Sequence, residues 1–279
     1  MASKLSRKRA HAVSRLLSIP LGWMEVGHVT RTNLELCFSN LTDLQRERYV
    51  RESLIHMSTL FFELAQLRYW PLDRLLADVQ VQGRDLISEA YQSGKGVILL
   101  VPHYGNWEIL CAYLGTEFSV AALYDPPKVG SLEAVILACR ERYDGRMFPI
   151  SVGGMRSVLK ELKQGRLVAI LPDQVPAHES GTYAEFFGHA ALTMTLPQQL
   201  ATKTDALILM GSVERKNFGA DGYSIVFEPL AGAPDQALEA RINLSIEQVI
   251  SRDPVQYQWE YKRFKRALGS YSSNVYRRQ

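Results

Sequence analysis

Five consecutive apolar residues, Val97-Ile-Leu-Leu-Val101, run between Gly96 and Pro102 and predict a short buried strand. Asn106 to Leu114 reads as the helix that follows, which puts a strand-to-helix turn on His103-Tyr-Gly-Asn106. The same alternation continues downstream. Ser119–Leu123 precedes Ser131–Tyr143, and Met155–Lys163, stopped by Gly165, precedes Leu167–Leu171. Such repetition predicts an α/β fold, a single domain with a central, mostly parallel sheet flanked by helices. Ala206–Val213 and Tyr223–Glu228 read as a later strand pair, and Asp253-Pro254 as the start of a final helix. Upstream, Thr42-Asp-Leu-Gln45 has the form of a capping box, opening a long amphipathic helix with Val50, Leu54, Met57, Phe61 and Leu64 on one face.

With 279 residues, 47% of them hydrophobic and 22% charged, the chain can bury a large core. Its three cysteines, Cys37, Cys111 and Cys139, are odd in number and lack metal-type spacing, so core positions in a reducing compartment are expected, without a disulfide framework or a metal site. Neither a Gly-x-Gly-x-x-Gly nor a P-loop pattern is present, and Val152-Gly-Gly-Met155 matches neither, so nucleotide binding is not expected. No nucleic-acid partner is expected either.

The net charge of +3 is unevenly placed. Lys4, Arg7, Lys8, Arg9 and Arg15 stand in the first 15 residues without an acid, and Lys262, Arg263, Lys265, Arg266, Arg277 and Arg278 crowd the last 20 against Glu260. Either end can meet an anionic surface. Leu16 to Met24 is far short of the roughly 20 apolar residues that cross a bilayer, and Glu25 and His28 argue against a signal peptide. Residues 1–32 are therefore expected to form a basic, amphipathic segment lying in a membrane interface, and residues 33–279 the catalytic domain.

Of six histidines only His103 has an acidic residue, Glu108, five positions later. An imidazole at the carboxyl end of a strand lies where α/β folds place ligands, and a carboxylate one helical turn on can fix its tautomer. His103 is thus expected to act as a general base oriented by Glu108. Between Pro172 and Pro197 the pattern breaks into a polar loop after the strand Leu167–Leu171. Asp173 and Gln174 should project at the same sheet edge as His103, with Phe186 and Phe187 walling an apolar cleft.

Together, His103-Tyr-Gly-Asn-Trp-Glu108, Leu171-Pro-Asp-Gln174 and Glu185-Phe-Phe-Gly188 resemble the late acyltransferases of bacterial lipid A biosynthesis, in the lysophospholipid acyltransferase superfamily. Asn33-Leu-Glu-Leu-Cys-Phe38 and Trp259-Glu-Tyr-Lys-Arg-Phe-Lys265 look like that family's opening and closing signatures. The resemblance implies transfer of a fatty acyl chain from a thioester, carried by acyl carrier protein or coenzyme A, to a hydroxyl of a membrane glycolipid such as a lipid A precursor. No cofactor beyond the thioester co-substrate is implied. His103 would deprotonate the acceptor, and backbone amides at Gly105 and Asn106 would receive the oxyanion. Arg140, and with it Arg142, resembles a basic element near the acceptor head group or donor phosphopantetheine. The enzyme would work peripherally at the cytoplasmic face of the bacterial inner membrane, because the spanning helix common in the family is missing at the N-terminus. Asp125, where many members carry a basic residue, leaves a different glycolipid or an aminolipid as an alternative acceptor. A catalytically silent lipid-binding or carrier-binding relative is the other functional class.

Overall fold

A computed structural model describes residues 5–124, 137–143, 145–266 and 275–277, which leaves Asp125 and much of the Ser131–Tyr143 segment outside the described residues. Four helices come first: α1 (Arg7–Leu21), α2 (Glu25–Cys37), α3 (Asp43–Tyr69) and α4 (Leu72–Leu76). The capping box at the head of α3 is present, the Thr42 side chain accepting from the Gln45 amide and the Gln45 side chain reaching back to the Thr42 amide. Val50 and Leu54 are buried on this helix as its periodicity predicts, whereas Phe61 is 63% exposed.

The strands and helices then alternate as β1 (Val79–Gln82), α5 (Arg84–Gln92), β2 (Val97–Leu100), α6 (Glu108–Leu114), β3 (Val120–Tyr124), β4 (Arg146–Pro149), α7 (Val152–Lys163) and β5 (Leu167–Ile170). Beyond these lie β6 (Gly181–Phe186), β7 (His189–Met194), α8 (Leu196–Thr204), β8 (Leu207–Arg215), β9 (Tyr223–Pro229) and α9 (Leu238–Arg252). Seven strands form one sheet in the order β1-β9-β8-β2-β5-β3-β4. β8, β2, β5, β3 and β4 run parallel, while β9 is antiparallel to β8 and parallel to β1.

The continuous apolar run at β2 has a direct cause. Val97, Leu99 and Val101 enter the core on one face of the sheet, with Ile87, Ile109 and Phe227, and Ile98 and Leu100 enter the core on the other, with Val168, Met210 and Ile246. A strand covered on both sides has no solvent face on which polar residues could alternate.

Two expectations are corrected. The segment after β5 holds an antiparallel hairpin, β6–β7, in register from Gly181↔Met194 to Phe186↔His189, rather than an irregular loop throughout. Among the described residues the last α-helix is α9, which precedes Asp253, and Asp253-Pro254 opens only a single 3₁₀ turn, Pro254–Gln256. Arg263 also leaves the set of surface cations: it is 2% exposed and donates to the Leu192 carbonyl at 2.7 Å and to Thr193 Oγ1 at 3.0 Å.

The family-like opening and closing segments meet in space. The Asn33 side-chain amide, buried on α2, donates to the carbonyls of Trp259 at 2.7 Å and Tyr261 at 2.9 Å, and its oxygen accepts from the Tyr276 hydroxyl. The chain after α9 is thereby tied back to α2.

Candidate active site

β2 and β5 are parallel neighbours in the register Leu100↔Ile170. His103 and Asp173 each stand three residues past those partners, so two chains leaving the sheet side by side bring them together. One Asp173 oxygen lies 2.7 Å from His103 Nδ1, and the other accepts the His103 backbone N–H at 2.8 Å. Burial alone would raise the Asp173 pKa, but the His103 charge and these hydrogen bonds outweigh it and hold the group below the usual carboxylate value. An ionised Asp173 takes the Nδ1 proton as its donor, and Nε2 keeps its lone pair.

Glu108 is elsewhere. Helix α6 starts only at Glu108, and the residues before it are tied down otherwise: Tyr104 bridges Tyr257 and Gly105 bridges Val213. Five positions therefore do not make one helical turn here, and it is the Trp107 ring that stands against His103, edge to face at 5.0 Å. Glu108 instead receives the Arg140 guanidinium at two points, Nη2 to Oε1 at 2.6 Å and Nε to Oε2 at 3.0 Å. Burial disfavours the Arg140 charge, yet Glu108 outweighs it and raises the pKa. The pair borders an apolar pocket lined by Trp107, Leu110, Cys111, Leu114, Leu123 and Met147. Burial, aided by Glu108, pushes the Cys111 thiol there up to about 11, so it sits as an inert neutral group.

The other expected residues divide. Gln174 stays at the site, with its Nε2 3.3 Å from His103 Nε2. Arg142 leaves it, donating to the Leu67 carbonyl at 2.9 Å and lying over the Tyr143 ring. Phe186 is fully buried, and Phe187 packs on Phe38 at 5.2 Å, so the pair builds an aromatic core with Tyr257 and Trp259 rather than walling an open cleft. The Gly105 amide is already engaged, donating to the Gln256 carbonyl at 3.0 Å. Glycine is required there: φ is +58° and a Cβ would lie 1.7 Å from the Val213 carbonyl oxygen. The Asn106 side chain is buried, and its oxygen has no hydrogen-bond partner among the described residues.

Sequence reasoning named Trp259–Lys265 as a closing signature but missed Gln258 and Glu260 as site residues. Gln258 donates its backbone N–H to the His103 carbonyl at 3.0 Å, and Gln258 and Glu260 line a small pocket with Gly105, Trp107, His56 and Arg215. Burial pushes the Glu260 carboxyl up to about 7. The signal was present in Gln256-Tyr-Gln-Trp-Glu260, where polar and aromatic side chains alternate in a stretch too short for a core helix. Among the described residues no cluster of ligands suited to a metal ion is found, and the three cysteines are free.

This arrangement can take a proton at Nε2 and stabilise the resulting imidazolium through Asp173, beside an apolar pocket. The chain is 26% identical over 240 residues, covering 85% of it and 78% of the relative, to a lipid A biosynthesis palmitoleoyltransferase of Escherichia coli K12. It is 25% identical over 235 residues, 82% of it and 72% of the relative, to a lipid A biosynthesis acyltransferase of Haemophilus influenzae, and 22% identical over 241 residues, 85% and 78%, to a lipid A biosynthesis lauroyltransferase of Escherichia coli K12. The model of the bacterial lipid A biosynthesis acyltransferases matches residues 7–266. The chain belongs to that family and is an O-acyltransferase.

Proposed function

We propose that the protein moves a fatty acyl chain from a thioester, on acyl carrier protein or coenzyme A, to a hydroxyl of a membrane glycolipid such as a lipid A precursor. The observation that carries the mechanism is the double grip of Asp173 on His103, which leaves Nε2 as the only ring nitrogen able to accept a proton. The acceptor hydroxyl gives its proton to Nε2 as its oxygen attacks the thioester carbon. The tetrahedral intermediate collapses, the C–S bond breaks, and the imidazolium returns its proton to the thiolate. Asp173 takes the orienting role, because its carboxylate is the one within reach. Glu108 holds Arg140, whose guanidinium offers a phosphate of donor or acceptor a cation at the rim of the apolar pocket, and that pocket suits an acyl chain.

The reading extends to a peripheral site of action at the cytoplasmic face of the inner membrane. No described helix is long and apolar enough to cross a bilayer. Leu16, Leu17, Ile19, Trp23 and Met24 are exposed at the end of α1 and just beyond it, with Lys8, Arg9 and Arg15 also exposed. Arg7 is not part of this surface, because it pairs with Asp78 at 2.6 Å and covers the Tyr223 ring.

Mass spectrometry of lipids from cells lacking and regaining the gene tests the proposal. One additional acyl chain on a lipid A precursor, restored by the wild type and not by His103→Ala, is expected. An unchanged lipid A profile would direct attention to another glycolipid or an aminolipid, and full activity of a folded His103→Ala protein would remove the mechanism.

A further inference from the structure

Two glutamines stand in a row beside the base nitrogen of His103. The Gln174 side-chain amide donates to the Gln258 side-chain oxygen at 3.4 Å, and the same NH₂ lies 3.3 Å from His103 Nε2. One N–H of Gln174 is thus held by Gln258 and the other is turned toward the ring.

His103 Nε2 has a single lone pair, and an acceptor hydroxyl needs it. The Gln174 contact is long for a hydrogen bond and easily displaced. Once the hydroxyl occupies Nε2, one Gln174 N–H is still held by Gln258 and the other is freed beside the base nitrogen, where the attacking oxygen sits. Four backbone donors near the turn are committed: Tyr104 N–H to the Pro102 carbonyl at 2.7 Å, Gly105 N–H to Gln256, Gln258 N–H to His103, and Val175 N–H to the Tyr261 hydroxyl at 2.9 Å.

We propose that the side-chain amide of Gln174 is the oxyanion donor of the acyl transfer, aimed by Gln258. The inference rests on the acyl-transfer reading. As the acceptor oxygen bonds to the thioester carbon, the carbonyl π pair moves onto oxygen and the Gln174 N–H takes up that charge. When the C–S bond breaks the carbonyl re-forms, and the amide is released unchanged. An amide held in place before charge develops costs no reorganisation at the transition state.

The test is steady-state kinetics of the purified full chain with acyl–acyl carrier protein and a lipid A precursor, for the wild type, Gln174→Met and Gln174→Glu. Gln174→Met keeps the length and removes the donor, so a fall of about 10²–10³ in kcat with KM changed only a few-fold is expected, and a deeper fall for Gln174→Glu, whose carboxylate repels the oxyanion. Gln258→Met leaves Gln174 in place but frees its amide, and should cost kcat about tenfold. It also serves if Gln174→Met fails to fold. An active wild type beside a fully active Gln174→Met, or a loss confined to KM, overturns this inference alone. A wild type inactive with both carrier-protein and coenzyme A thioesters overturns the acyl-transfer reading, and this inference with it.

Discussion

Asp173 holds His103 at both the ring and the main chain, 2.7 Å from Nδ1 and 2.8 Å from the backbone N–H. A single carboxylate thus sets the tautomer, the rotamer and the turn. Asp173→Asn is expected to lower kcat by at least about 10²-fold, since an amide can present its NH₂ to Nδ1 and reverse the tautomer. Single-turnover rates across a pH series check this, and near-wild-type turnover would remove Asp173 from the mechanism.

Glu108→Gln should act differently. Glu108 and Arg140 form a bidentate pair with side chains 7% and 18% exposed, and leaving one partner of such a pair uncompensated costs about 3–5 kcal/mol. Chemical denaturation should show most of that loss. A stability equal to the wild type's would mean that solvent reaches Arg140 freely.

Glu260 makes stability depend on pH. Its carboxyl, ordinarily near 4.5, is pushed up to about 7 by burial, so the folded state keeps a proton that the unfolded chain releases. Stability then falls as pH rises from about 4.5 to 7 and levels off above, by about 3 kcal/mol. Glu260→Gln should remove that fall, and the difference between the two denaturation series against pH measures it. Parallel curves would mean an ordinary, solvated carboxyl.

The N-terminal surface predicts salt-dependent membrane binding. Trp23 is 83% exposed beside the exposed Leu16 and Met24, and each basic side chain near an anionic bilayer contributes up to about 1 kcal/mol. Replacing Lys8, Arg9 and Arg15 with Ala should weaken sedimentation with anionic vesicles and remove its salt dependence, whereas Trp23→Ala should weaken it at every salt concentration. Equal binding to neutral vesicles would dismiss the electrostatic part.

Asn33→Ala should loosen the site from a distance. It removes two carbonyl contacts and the Tyr276 bond at a fully buried position, a loss of about 3 kcal/mol. Because the freed segment carries Gln258, turnover should fall along with the melting temperature. Turnover untouched in a destabilised protein would separate the clamp from the site.

The sheet was legible because β2, β5 and β8 are short apolar runs between turn residues, the one pattern that two-sided burial imposes. The His103 turn was legible for the same reason. Its carboxylate partner was not, since the spacing to Glu108 is a distance along the chain and the pairing with Asp173 is set by strand order. Only the neighbouring positions of β2 and β5, which sequence spacing does not encode, make residue 173 adjacent to residue 103. Arg263 was hidden by a similar limit: a cation in a basic stretch reads as solvated until the Leu192 carbonyl and Thr193 hydroxyl that receive it are in place.

The clamp from Asn33 to Trp259 and Tyr261 ties the first helices to a late stretch of the chain. During synthesis the sheet strands leave the ribosome before that stretch does, and until residue 258 has emerged the turn at His103 lacks its main-chain partner. A nascent chain that has reached only the end of α9 therefore holds the strands of the sheet but an unfinished site.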